Sequence, residues 1–193
     1  MNLPENIVAI KSVTIRSIAI NRRLLISSSE VQTFESFLKD TIKDEVLVVN
    51  TNIGIEVYYH SSNDYGNFIK ESVLLYTLKR VDPAKLKFRN NNNRSKVYQS
   101  FYEALLTFAK YPQLFLAYTK KFIHIKNKHS ASTYIIPVLT SFFEEVLRIL
   151  EDTDNLPHSE KIKSANDKLH RTRLDKSLIK SLISEILLKS RYN

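Results

Sequence analysis

Apolar residues recur at helical spacing through most of the chain. Ser27-Ser28-Ser29-Glu30 has the form of a capping box, in which a hydroxyl and a carboxylate satisfy the free amides of a helix start. Val31, Phe34, Phe37, Leu38 and Ile42 follow at i, i+3, i+4 intervals, which predicts a helix over 30–43. A loop over 61–66 precedes a second helix from Asn67 to about Arg80, carrying Ile69, Val73 and Tyr76 on one face. Asp82-Pro83 stops it, because the residue before proline is pushed out of helical geometry. Ser95 is read as the cap of a helix over 96–110 with Val97, Phe101, Leu105 and Phe108 as its stripe. After Tyr111, Pro112 restarts the chain at a first helical position, where a missing N–H costs nothing. The helix over 112–126 then carries Leu114, Phe115, Tyr118, Phe122 and Ile125. A connection this short makes the two helices antiparallel neighbours. Tyr134, Val138, Phe142, Val146 and Ile149 mark a further helix ending at Asn155-Leu156-Pro157. Residues 158–172 are polar, and a last helix begins after Asp175 with Leu178, Ile179, Leu182, Ile183, Ile186 and Leu187 on one face.

Three stretches fit this pattern less well. Residues 7–26 are apolar and β-branched, but alternation holds only in pieces: Val8 with Ile10, Val13 with Ile15, Ile18 with Ile20. The phase slips between pairs, which a strand with one buried face would not allow. Ile7, Ile10, Val13, Leu24 and Leu25 share a helical face with Arg16 and Arg23 opposite, so the segment is read as helix. Residues 46–59 are the best strand candidate, either a hairpin laid on the helices or two short helical turns. Residues 84–94, AKLKFRNNNNR, are read as a flexible loop.

The expected fold is therefore mostly α: a single helical domain over 1–193 of six or seven helices, solenoid-like or a bundle, with at most one small β-hairpin near 46–59. Residues 1–28 are the segment that could stand apart. They carry Lys11, Arg16, Arg22 and Arg23 and no acid between Glu5 and Glu30, the composition of a mitochondrial presequence, so an appendage or targeting role is the alternative there. The alternation of helices with short polar breaks is similar in kind to α-solenoid proteins, although no repeat of fixed period is present.

Composition narrows the chemistry. Gly54 and Gly66 are the only glycines in 193 residues, too few for Gly-rich phosphate loops or dinucleotide turns. Absence of cysteine removes disulfides, zinc-finger spacings and thiol catalysis, and fits an intracellular setting, cytoplasmic or nuclear. No apolar run approaches the ~20 residues that span a bilayer. The five histidines form no i, i+4 pair, and Asp44/Glu45 and Glu144/Glu145 are adjacent residues that do not share a helix face. No nucleophile, base and oxyanion site assembles, so the expectation is a protein that is not an enzyme and needs no cofactor or metal.

Charge supplies the candidate site. The net charge of +9 is concentrated in residues 79–128, which hold twelve Lys or Arg against Asp82 and Glu103. In an antiparallel hairpin, Lys85, Lys87, Arg89, Arg94 and Lys96 would meet Lys120, Lys121, Lys126 and Lys128 at one pole. Such a pole suits an acidic protein partner, and the chain is read as a non-enzymatic interaction module, an adaptor or complex subunit. The alternative is nucleic acid, held at its phosphates by residues in 85–96 and 120–128, with Phe88, Tyr98 and Tyr102 stacking on bases. The acids from Glu144 to Asp154 offer an internal counter-charge to the same pole.

Overall fold

In a computed structural model of the chain, described over residues 9–17, 24–51, 53–77 and 83–162, a four-stranded antiparallel sheet lies between two layers of helices. The elements in order are β1 (Ala9–Ser17), α1 (Glu30–Ile42), β2 (Val46–Thr51), β3 (Gly54–Ser61), α2 (Gly66–Tyr76), β4 (Leu86–Asn91), α3 (Arg94–Ala109), α4 (Pro112–Lys128) and α5 (Ile135–Asp152). A single 3-10 turn, Pro83–Lys85, leads into β4. The strands lie in the order β2-β3-β1-β4, so β1, the first in sequence, is internal.

Successive side chains of a strand point to opposite faces, and here both faces are covered. Ile10, Leu47, Val49 and Tyr58 pack into one core with α3, α4 and α5. Val13, Ile15, Val46, Val48, Ile55, Val57 and Tyr59 pack into a second core with α1, α2, Leu25 and Ile26. This architecture is a mixed α/β sandwich and overturns the mostly-α, single-helical-domain expectation.

The error has a physical cause in each stretch. Residues 7–26 were expected to be helical because their alternation changes phase. With helices on both sides, a change of phase only moves the apolar residue from one core to the other. Ile10 is fully buried toward α3–α5, and Val13 and Ile15 toward α1 and α2. Residues 84–94, expected to be a loop, contain β4. Their polarity reflects an edge strand, with Leu86 and Phe88 inward and Lys87 and Arg89 exposed. The hairpin alternative for 46–59 is what forms, as β2 and β3 with Val48 opposite Val57. Gly54 is required in it, since a Cβ there would collide with the Ile15 carbonyl of β1.

The helices over 30–43, 96–110 and 112–126 form close to their expected limits, as does the antiparallel pairing of α3 with α4. Asn93, not Ser95, caps α3: it is extended, and its Oδ1 accepts the Lys96 N–H at 2.9 Å. The Ser27 hydroxyl accepts the Glu30 N–H at 3.2 Å, which is the hydroxyl half of the expected capping box; the Ser29 side chain at the N-cap makes no capping bond. Most of 158–172 and all of the helix expected after Asp175 lie outside the described residues.

Each edge of the sheet is handled differently. At β2 the Val48 N–H is taken by Glu35 of α1 at 3.0 Å, and the Asn50 amide reaches the Ile26 carbonyl at 2.7 Å. Glu35 thereby occupies an edge N–H that would otherwise recruit another strand, and Asn50 ties the 24–26 segment to the same edge. Among the described residues β4 pairs only with β1, and its exposed side chains are Lys87, Arg89 and Asn90.

One carboxylate ties the sheet to the α3–α5 layer. Glu45, just before β2, accepts the backbone N–H groups of Thr133, Tyr134 and Ile135 at 2.6, 3.1 and 2.9 Å at the start of α5. It also accepts the hydroxyls of Ser132 and Thr133 at 2.6 and 2.8 Å. Amides that begin a helix have no intrahelical partner, and a negative charge is favourable there. Burial by itself would raise the Glu45 pKa; the hydrogen bonds, that from Ser132 foremost, outweigh it and hold the pKa at about 2. A depressed carboxylate pKa adds stability above its ordinary value of 4.5 that is lost as pH falls toward 2. Glu45→Gln is expected to lower unfolding free energy at neutral pH by about 2 kcal/mol in urea denaturation. The same variant should flatten the acid limb between pH 4.5 and about 2.

Candidate anion-binding site

The face of the sheet turned toward α3–α5 is not uniform. On β2 and β3 it carries Leu47, Val49 and Tyr58. On β1 and β4 the same face carries Thr14, Arg16, Lys87 and Arg89, where the register sets Thr14 opposite Arg89 and Arg16 opposite Lys87. Helix α3 crosses this polar half and presents Ser100, Glu103, Ala104 and Thr107. Between them lies a cleft of about 220 Å³ lined by these residues and Phe88.

Arg89 donates from Nη1 to Glu103 Oε2 at 2.7 Å, and Gln99 donates to the other oxygen of Glu103 at 3.0 Å. The hydrogen bond from Arg89 holds the Glu103 pKa below its usual range. Both partners are about half exposed, 48% and 47%, so the pair is readily exchanged for another. Arg16 and Lys87 have no hydrogen bond or ion pair among the described residues. The hydroxyls of Thr14 and Ser100 are likewise unengaged there, although both residues are buried. Thr107 spends its proton on the Glu103 carbonyl at 2.7 Å.

At the inner end, beside Thr14 and Arg16, sits Glu56 of β3. Its Oε2 accepts the hydroxyls of Tyr58 at 3.0 Å and Tyr118 of α4 at 3.1 Å. Burial raises the Glu56 pKa, and the Tyr58 hydroxyl, the Arg16 charge and the Tyr118 hydroxyl only partly offset it. Burial, with the Glu56 charge second, also pushes both phenols well above their ordinary value.

The nine basic residues anticipated at one pole fall into two sets. Lys85, Lys87, Arg89, Arg94 and Lys96 are exposed along the turn before β4, β4 itself and the first turn of α3. Lys120, Lys121, Lys126 and Lys128 follow α4. There Lys121 lines a groove with Asn50, Thr51 and Tyr118, and Lys128 lines another with Lys39, Glu45 and His129, both on the β2 side. The sheet order puts β2 and β4 on opposite edges, roughly 14 Å apart at about 4.8 Å per strand. Arg94 and Lys126 alone approach the same turn of α5. Arg94 lies 5.6 Å from the Phe142 ring, and Lys126 is 3.7 Å from Glu144, one of the acids expected to offer internal counter-charge.

The aromatic residues offered for base stacking are engaged in packing. Phe88 joins the α1–α2 core and lies under Lys70 at 5.1 Å. Tyr98 packs edge-on against Phe142 at 5.0 Å, with Tyr102 stacked on it at 6.0 Å. Arg16, Thr14, Ser100 and the Glu56 pair of tyrosines were not among the site residues expected from the sequence. The signal was present in Ser12, Thr14 and Arg16, which alternate with Val13 and Ile15. No cluster of three or more metal-ligating side chains occurs among the described residues. No described helix is long and apolar enough to cross a membrane.

Comparison with protein-family models, curated proteins and solved structures found no match.

A carboxyl whose folded pKa is raised is less costly when protonated, so it detracts from stability as pH rises through that value and not below its ordinary pKa. Glu56→Gln keeps an oxygen for the two phenols without the charge. It should equal or exceed the parent in urea stability at neutral pH, and the difference should vanish on acidification. A marked loss of stability at neutral pH would show the ionised carboxylate to be the favoured partner.

Proposed function

We propose that the protein is a non-catalytic interaction subunit that holds an acidic segment of a protein partner against β4 and the start of α3. The observation that carries this reading is the row of exposed Lys85, Lys87, Arg89, Arg94 and Lys96 on one edge of the sheet. Arg94 and Lys96 occupy the first turn of α3, which has no acid, and so work against the helix dipole. Lys126 and Lys128 in the last turn of α4 complement their dipole and have a structural reason to be basic. Charges that cost the fold stability are the better candidates for a working surface. An edge strand adds main-chain groups to which an extended peptide can pair. An acidic peptide is favoured over nucleic acid because Phe88, Tyr98 and Tyr102 are packed against the protein itself.

The experiment compares a fluorescent Asp/Glu-rich peptide with a single-stranded oligonucleotide by anisotropy at low and physiological salt. The peptide should bind, with affinity that falls as salt rises. Lys85→Glu with Lys96→Glu should weaken it roughly tenfold, about 1.4 kcal/mol, whereas Lys120→Glu with Lys121→Glu should change it little. Absence of peptide binding, tighter oligonucleotide binding, or equal effects of the two double variants would each overturn the reading.

A further inference from the structure

The cleft between β1, β4 and α3 shares Lys87 and Arg89 with the peptide surface and adds Arg16, Thr14 and Ser100, which the peptide reading does not use. Arg16 and Lys87 stand directly opposite one another on adjacent strands, with Arg89 one pair further along β4. Like charges directly opposite one another destabilise a sheet. The one acid from α3, Glu103, is committed to Arg89. Arg16 and Lys87 are left facing the cleft without a hydrogen bond or ion pair among the described residues, beside the unengaged hydroxyls of Thr14 and Ser100, while Glu56 and Glu103 act on Arg16 only through space.

We propose that this cleft is a binding site for the phosphoryl group of a phosphate monoester. A tetrahedral dianion placed there relieves the Arg16–Lys87 repulsion and accepts from the guanidinium, the ammonium and the two hydroxyls. Arginine suits such a group because its planar fork of donors matches two phosphate oxygens. A phosphoryl group fills only part of the cleft of about 220 Å³ and leaves room for the start of the esterified alcohol toward its mouth. Apolar walls suited to a whole organic ligand are lacking, since only Phe88 and Ala104 interrupt the polar lining. Glu103 acts as a competitor: while it holds Arg89, that guanidinium is withheld from the ligand.

Titration calorimetry of the intact chain with inorganic phosphate, O-phosphoserine and a nucleoside 5′-monophosphate tests the site and separates its sources. Binding of either monoester supports the proposal, and the tighter of the two identifies the source. Arg16→Ala should abolish binding, and Lys87→Ala, at an exposed edge position, should weaken it about tenfold. Glu103→Gln should tighten it several-fold by releasing Arg89, an outcome that misfolding cannot produce. No binding by the folded parent, or binding indifferent to all three substitutions, overturns the site. Lys85→Glu with Lys96→Glu lies outside the cleft and should leave monoester affinity within about twofold. Absence of peptide binding by the parent protein, with its monoester binding retained, would therefore count against the acidic-partner reading alone.

Discussion

A sheet covered on both faces has no solvent side on which to place its polar residues. Every side chain of an internal strand must enter one core or the other, and a polar one must find a partner or line a cleft. In β1 this constraint is met in two ways. Lys11, 6% exposed, donates to the carbonyls of Ser62 and Asn63 at 2.7 and 2.9 Å, and so fastens the loop before α2. Ser12 receives the Asn91 amide at 3.0 Å. Thr14 and Arg16 are met differently, by a cleft under α3. The candidate site is thus a product of the layer architecture: where β1 and β4 turn polar residues toward helices, the helices cannot close down on them.

The same constraint decides which parts of the fold were legible in the sequence. Helices with solvent on one side show a clean stripe, and α1, α3 and α4 were readable to within a few residues. So was the turn at Tyr111-Pro112, whose proline fixes the restart. β1 was opaque because burial on both faces erases the alternation that identifies a strand. β4 was opaque for the opposite reason, its polarity overshadowing the period-two order of Leu86, Lys87, Phe88 and Arg89. The basic residues were visible, but their grouping depends on the sheet order, which no local pattern encodes. Lysines that a two-helix hairpin would gather are divided between the β4 and β2 edges.

Electrostatics in this molecule is mostly local and directional. Glu45 closes the start of α5 with a charge from another layer, whereas the start of α3 receives only the neutral Asn93 side chain and two cations. One helix start is saturated with negative charge, and the other stays electropositive beside an edge strand of the same sign. Within the cleft, Arg16 acts between two carboxyls of unlike character. Glu103 is exposed and ionised, while Glu56 is buried with its pKa raised. A ligand that displaces Glu103 from Arg89 alters the field at both.

The internal position of β1 also sets an order of assembly. Ser12 and Asn91, hydrogen-bonded across the β1–β4 pair, are 79 residues apart. During synthesis β1 emerges first, carrying Ile10, Val13 and Ile15 aimed at two cores that do not yet exist. Its β3 partner arrives only with residues 54–61, and its β4 partner with 86–91. The β2–β3 hairpin, by contrast, closes over a short loop at little entropic cost. A nascent chain must therefore keep an apolar, β-branched segment unpaired until the β2–β3 hairpin exists and half-paired until β4 follows, so the sheet is completed from its β2 edge toward its β4 edge.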